Sequence, residues 1–341
     1  MAGPMAGGAP ADSSSGPPAD QSPDPPAVGV GTWAWGNQFL WGYAPERDAE
    51  LAAAFERAVA RGLTFFDTAD SYGTGRFAGR SEELLGRFCA ALPEAARRRL
   101  TVATKLAPFP WRLGRGGFDR ALAASQQRLL GKLDRVQLHW STARYAPWQE
   151  GPLLDGLADR VLDGSVAELG VSNLGPARLR LLQARLAARD VPLRSVQVQL
   201  SLLAPEALAP GGVAAVCREL GIELIAYSPL ALGLLGRSPG RLDPPAGPRG
   251  LLFRRLWPGV QPLLEALQRI GALHGAPPAA VALNWCRAHG ALPIVGVRSL
   301  EQAEAAAAAA AWQLDPLERE ELDRLAFAGR ARMPANPFQS A

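Results

Sequence analysis

The run Arg47–Thr68, RDAELAAAFERAVARGLTFFDT, decides the fold. Residues Arg47–Arg61 carry the apolar periodicity of an amphipathic helix, and Thr64–Thr68 is a short apolar run that closes on Asp67. The same alternation fills the chain from Val28 onward. It predicts strands at Val28–Thr32, Thr64–Thr68, Leu100–Thr104, Arg135–His139, Val166–Ser172, Ser195–Gln199, Glu223–Tyr227 and Pro293–Gly296. Helical patterns lie between them at Arg47–Arg61, Ser81–Ala90, Phe118–Leu130, Gly151–Leu162, Pro176–Arg189, Gly211–Leu220, Leu264–His274 with Pro278–Ala288, and Leu300–Ala311, and a last one follows at Pro316–Ala326. Eight strand–helix repeats predict an α/β fold, the closed parallel (β/α)8 TIM barrel with outer helices. An open doubly wound sheet would normally begin on a glycine-rich phosphate loop. None is present, and Gly114–Gly117 reads as an ordinary turn.

Two helix starts support this frame: Ser81 before Glu82 and Glu83, and Asp315 before Pro316. Alanine is the strongest helix former, so Ala305–Ala311 reads as part of a barrel helix. The Pro- and Gly-rich segment Arg237–Gly250 reads as a long loop after the seventh strand, a place where loops often carry function.

Composition narrows the class. A chain of 341 residues with 48% hydrophobic content can bury one large core. Residues 1–26 contain Ala, Gly, Pro, Ser and Asp but no Lys or Arg, and read as a low-complexity disordered tail before a barrel at 27–341. They have neither the charged and apolar regions of a secretory signal nor the arginines of a transit peptide. The net charge of +4 is spread over interspersed acids and bases, which points to no nucleic acid and no membrane partner. The basic run Arg97–Arg99 reads as a solvated helix end. Cys89, Cys217 and Cys286 form no CxxC pair and suit a reducing compartment, and the acidic tail points to a cytoplasmic protein. His139, His274 and His289 lack metal-ligand spacing, so no metal is expected.

The polar residues at strand ends carry the functional signal. Asp67 ends strand two, Lys105 strand three, His139 strand four, Ser172 and Asn173 strand five, and Tyr227 and Ser228 strand seven; Gln197 and Gln199 lie in strand six and Arg298 follows strand eight. In a parallel barrel these ends meet on one face, where the active site lies. Only two of the 36 basic residues are lysines, and Lys105 is one of them. Its ammonium has a pKa that can shift, which a guanidinium lacks. Tyr72 follows Asp67 by five residues, within reach of the barrel mouth. A cation about 4 Å from the phenol, at an effective dielectric near 20, would lower its pKa by roughly three units. Lys105 is the candidate cation, Asp67 its partner, and His139 a donor to a substrate oxygen.

The segment Phe65–Gly73 with Ser81–Gly86, then Leu138-His139-Trp140, Gly170–Asn173 and Ala226–Leu230, resembles the aldo-keto reductase family from about Val28 to Leu325. Leu138-His139-Trp140 and the Ser-Leu-Leu after strand six are most similar to its plant and bacterial subgroup that includes pyridoxal reductases. The resemblance implies NADPH-dependent reduction of a small carbonyl substrate, with Tyr72 as proton donor and Asp67, Lys105 and His139 completing a catalytic tetrad. It implies that Ser172, Asn173 and Gln197 hold the nicotinamide carboxamide and that Tyr227 stacks on the ring. Ser228, Pro229, Leu230, Gly233 and Leu235 would follow the pyrophosphate, and Arg298 and Ser299 would meet the 2′-phosphate. Thr32, Trp33 and Gln302 join the expected cofactor contacts. Where the family often has Arg, Glu and Asn, this chain has Gln302, Ala305 and Ala306. Trp33, Trp35, Trp111 and Trp140 are candidates to line a substrate pocket, Trp33 foremost. Two other functions fit parts of the pattern: a non-catalytic subunit that senses NADPH, and a Schiff-base lyase acting through Lys105.

Overall fold

The computed structural model describes residues 1, 3 and 28–340. The tail expected at 1–26 thus lies outside the described residues, Met1 and Gly3 apart. Eight strands, β1 (Gly29–Gly31), β2 (Phe65–Asp67), β3 (Thr101–Leu106), β4 (Arg135–Leu138), β5 (Glu168–Ser172), β6 (Leu193–Gln199), β7 (Glu223–Tyr227) and β8 (Ala291–Gly296), close into a barrel in chain order. Every neighbouring pair is parallel, including β1 with β8. The (β/α)8 fold read from the sequence is therefore the fold observed.

Side chains alternate across each strand. Outward residues such as Phe66, Val102, Val136, Leu169, Val171, Val196 and Leu224 are fully or nearly fully buried against the helices, in two large apolar clusters. The inward set is smaller. Phe65, Ala103, Ile225, Leu292 and Ile294 form a separate apolar layer inside the barrel. Below it Arg135, only 3% exposed, bridges Glu168 and Glu223 at 2.6 Å each. Above it the inward positions turn polar, and those are the site residues.

Gly170 of β5 faces this crowded interior. A Cβ there would lie 2.6 Å from Ser195 Oγ and 3.0 Å from Gln137 Cγ. The absent side chain makes room for Gln137.

Two expectations change. The segment assigned to a loop at Arg237–Gly250, with a helix only from Leu264, is helical from Pro248 through Leu273. Pro258 and Pro262 lie inside that helix and read as breakers because each removes a backbone donor. Burial outweighs them: Phe253, Leu256, Val260, Leu263, Leu264, Leu267 and Ile270 recur every three or four residues on the core face. Ser81 is not a helix cap either. Gly79 caps Arg80–Ala91, and the fully buried Ser81 hydroxyl ties Thr32 Oγ1 (2.6 Å) to Thr68 Oγ1 (3.0 Å). Asp315, by contrast, closes a full capping box with Glu318 ahead of Pro316–Ala328. Arg97 and Arg98 end the short helix Glu94–Arg98 at the surface.

Candidate active site at the C-terminal mouth of the barrel

Asp67 ends β2 and is 1% exposed, a costly place for a carboxylate unless every lone pair is used. Its Oδ2 accepts from Lys105 Nζ at 2.5 Å. Its Oδ1 accepts from Gln137 Nε2 at 3.1 Å and Gln197 Nε2 at 2.8 Å. Lys105 Nζ also donates to the Thr68 carbonyl at 2.8 Å and sits 4.9 Å from the centre of the Tyr72 ring. Burial draws the Lys105 pKa down, against the pull of Asp67.

Tyr72 is brought over this pair by a tight loop. Gly73 has φ +110°, and a Cβ there would lie 1.8 Å from the Phe77 carbonyl oxygen, so only glycine fits. Gly79 N closes the loop on the Tyr72 carbonyl at 2.9 Å. The His139 ring lies beside the phenol, with centroids 5.9 Å apart, and its Nδ1 is 3.3 Å from Ser71 Oγ. Burial, then the charges of Lys105 and Arg112, hold the His139 pKa well below its usual value, so the imidazole is neutral. If Ser71 donates to Nδ1, the ring proton is on Nε2 and faces a ligand.

The phenol itself departs from the expectation read from the sequence. Burial, and then Asp67, push its pKa well above 10 rather than down. Lys105 is paired with Asp67 and lies against the ring face, so the carboxylate offsets its field at the hydroxyl. A phenol with a raised pKa keeps its proton at neutral pH.

The expected cofactor residues border this cluster. Asn173, in the left-handed region at φ +61°, donates to the His139 carbonyl (3.0 Å) and accepts from Tyr227 Oη (2.8 Å). Ser172 Oγ donates to the Gln197 carbonyl at 3.1 Å. Gln197 turns its amide N–H to Asp67, so its place is at the tetrad as well as beside Ser172. Burial raises the Tyr227 hydroxyl to about 12. After β7 the backbone turns left-handed at Ser228 (φ +53°), Ala231 (+48°), Leu232 (+59°) and Gly233 (+95°). Non-glycine residues in that region are strained, and such strain gathers at ligand sites. Pro229 and Leu235 are buried and anchor this loop, while Leu230 packs against the core.

At the far end, Arg298 lies over Trp41 (5.0 Å), and its backbone N–H donates to Gln302 Oε1 at 2.8 Å. Ser299 caps Leu300–Ala310. Thr32 is fully buried, and its hydroxyl donates to the Asp67 carbonyl at 3.1 Å, so it supports the site from inside. Trp33 is at the rim, 37% exposed and edge-on to Trp41. Trp35 is not a pocket residue: it is fully buried and donates to the Val297 carbonyl at 2.9 Å. Trp111 and Trp140 belong to an aromatic wall next to His139, with Phe109 between them and Phe338 stacked on Trp140 at 4.6 Å.

Three participants escaped the sequence reading. Gln137 could have been noticed as an amide in an apolar strand. Arg249 lay in the segment taken for a loop. Its guanidinium stacks on Trp41 at 4.0 Å, and burial, then Arg298 and Arg237, lower its pKa to about 10. Its buried Nε has no hydrogen-bond partner among the described residues. An orphaned donor in a cluster of cations calls for an anion. Asn336, from the C-terminal segment, touches both Asn173 and Tyr227, and nothing in its local sequence marked it.

Comparison with known proteins converges on the same reading. Residues 27–326 match the model of the aldo/keto reductase family. The chain is 46% identical over 318 residues to a chloroplastic pyridoxal reductase of Arabidopsis thaliana, covering 92% of this chain and 86% of that protein. It is 36% identical over 322 residues to an uncharacterized oxidoreductase of Mycobacterium tuberculosis, covering 91% of each. Among solved structures, an aldo/keto reductase from Klebsiella pneumoniae in complex with NADP and acetate superposes with a TM-score of 0.69 at 25% identity, covering 93% of this chain and 95% of that one.

Proposed function

The chain belongs to the aldo/keto reductase family, and from that premise we propose that it reduces an aldehyde or ketone to an alcohol with NADPH, Tyr72 giving the proton. The observation that carries the reading is the contiguous set Asp67, Lys105, Tyr72 and His139 at one end of the barrel, the first two buried and the last two partly open at the mouth. NADPH supplies the hydride. The chain's residues fit it: amides and hydroxyls of Ser172, Asn173 and Gln197 beside the Tyr227 ring, a left-handed loop from Ser228, and the cations Arg298 and Arg249 around Trp41. Arg298 and Arg249 would take the cofactor's anionic groups.

The neutral His139 orients the carbonyl by donating to its oxygen. As that oxygen becomes an alkoxide, a far stronger base than phenolate, the Tyr72 hydroxyl passes it the proton. A raised phenol pKa is compatible with this order, because the proton stays on Tyr72 until the alkoxide forms. Lys105, held by Asp67, then faces the phenolate with a positive charge. Gln137 and Gln197, each donating an amide N–H to Asp67 Oδ1, hold that carboxyl in its orientation toward Lys105.

The wall of Phe109, Trp111 and Trp140 suits a flat aromatic aldehyde. Pyridoxal is our first substrate, consistent with the Arabidopsis relative's name. We place the protein in the cytoplasm on its three unpaired buried cysteines, which a tagged full chain sedimenting with an organelle would overturn. No helix among the described residues is long and apolar enough to cross a membrane.

The test is NADPH oxidation followed at 340 nm over an aldehyde panel containing pyridoxal. Turnover by the native chain, with Tyr72→Phe slowed roughly 100- to 10,000-fold at nearly unchanged NADPH affinity, is expected. Tight NADPH binding with no turnover of any aldehyde would replace the reductase by a nucleotide-sensing subunit.

A further inference from the structure

The side-chain amide of Asn173 has no hydrogen-bonding capacity left. Its Nδ2 donates to the His139 carbonyl at 3.0 Å and to Ser172 Oγ at 3.1 Å. Its Oδ1 accepts from Tyr227 Oη at 2.8 Å and from Asn336 Nδ2 at 2.8 Å. A primary amide has two donors and two acceptor sites, and all four are filled. A cofactor carboxamide that binds Asn173 must displace one of these partners.

Three of the four stand at strand ends of the barrel. Asn336 stands on the segment that follows the last helix, Pro316–Ala328, and its neighbours Ala335, Pro337 and Phe338 are exposed. Its amide orientation is fixed by its own turn: Oδ1 accepts from Phe338 N at 2.9 Å, so Nδ2 faces Asn173 and also donates to Tyr227 Oη at 2.5 Å. The asparagine side chain is itself a primary carboxamide, the same group that a nicotinamide ring carries.

We propose that residues 334–340 form a latch on the cofactor site, with the Asn336 carboxamide holding the place of the nicotinamide carboxamide and leaving when the cofactor binds. This rests on the reading that Asn173 and Tyr227 receive the nicotinamide. The latch begins where Met333 N is fixed to the Leu203 carbonyl at 2.9 Å. Beyond it the anchors are few: Phe338 on Trp140, Ser340 N to the Asn173 carbonyl (3.0 Å), Gly175 N to Ser340 Oγ (3.0 Å), and Arg144 to the Pro337 carbonyl (3.3 Å). Exposed segments with so few bonds open at low free-energy cost. Release of Phe338 would also uncover Trp140, which touches His139, so one movement opens the cofactor and substrate sides together.

A closed latch raises the apparent Kd for NADPH by the inverse of the open fraction. Asn336→Ala removes the internal competitor. Asn336→Asp keeps an acceptor for Phe338 N, and so its turn, but has no donor for Asn173 or Tyr227. Both variants should bind NADPH roughly 5- to 50-fold more tightly in fluorescence titration, with KM for NADPH falling in proportion. In the native chain, amide hydrogen exchange of Phe338 and Ser340 should quicken when NADPH is saturating. NADPH binding that is unchanged or weaker in Asn336→Asp, or exchange that is unchanged or slower, overturns the latch and leaves the reductase standing. A native chain that binds neither NADPH nor NADH overturns both.

Discussion

At the scale of single residues the site is an exercise in neutralising buried groups. Asp67 is tolerable because it accepts three side-chain hydrogen bonds, one of them from a cation. His139 is tolerable because it stays uncharged, which has a consequence for stability. Its folded pKa lies well below the unfolded value of 6.5. Between those two values the unfolded chain binds a proton that the folded chain refuses, so stability rises with pH through that window. As pH falls below 6.5 this group alone works against the fold. His139→Asn should flatten the dependence of the urea midpoint on pH between about 6.5 and 5; an unaltered slope would mean that the imidazole is protonated in the native state. Arg298 and Arg249 invite a second measurement. If they meet anionic groups of the cofactor, Arg298→Ala should weaken NADPH by roughly ten- to a hundredfold and NADH less, whereas Arg249→Ala should weaken both nucleotides if it faces the shared pyrophosphate. Equal losses for Arg298→Ala would detach it from the 2′-phosphate.

At the scale of elements, strand ends were legible in the sequence and long-range contacts were not. Asp67, Lys105, His139, Asn173 and Tyr227 could be found because a polar residue closing an apolar run stands out. Gln137 could not be given a role, because its meaning depends on a carboxylate 70 residues away. The helix Pro248–Leu273 was lost to its internal prolines, and Arg249 with it. Asn336 lies beyond the last periodic segment and has meaning only once the chain end folds back over the mouth. The interior of β5 gives a prediction at this scale. Gly170→Ala puts a methyl 2.6 Å from Ser195 Oγ and against Gln137. It should cost about 1–3 kcal/mol by overpacking and should lower turnover by tilting the amide that holds Asp67. A variant with native melting temperature and native kcat would show that the barrel interior has slack there.

At the scale of the whole molecule the barrel separates stability from chemistry along its axis. Inward positions near the C-terminal mouth are polar and mutually bonded, the middle layer is apolar, and the opposite end is closed by Arg135 between Glu168 and Glu223. Both ends bury a charge, but for different reasons. At the mouth, Asp67 and Lys105 are each 1% exposed and adjoin Tyr72. At the base, Glu168 and Glu223 keep 32% and 30% of their side-chain surface in water, so solvent screens them and only Arg135 is truly enclosed. Arg135→Met fills much of the same volume without the charge. It leaves two carboxylates facing each other, yet both can turn to water, so the loss should be about 1–2 kcal/mol rather than the larger cost of stranding a buried ion. In a chain of this length that corresponds to a fall of a few degrees in Tm. KM and kcat should be untouched, because Arg135 is bonded to Glu168 and Glu223 and lies against the ring of Phe65 in the apolar layer, away from the Asp67–Lys105 pair. A change in kcat with Tm preserved would reverse the argument, making the base part of the catalytic electrostatics.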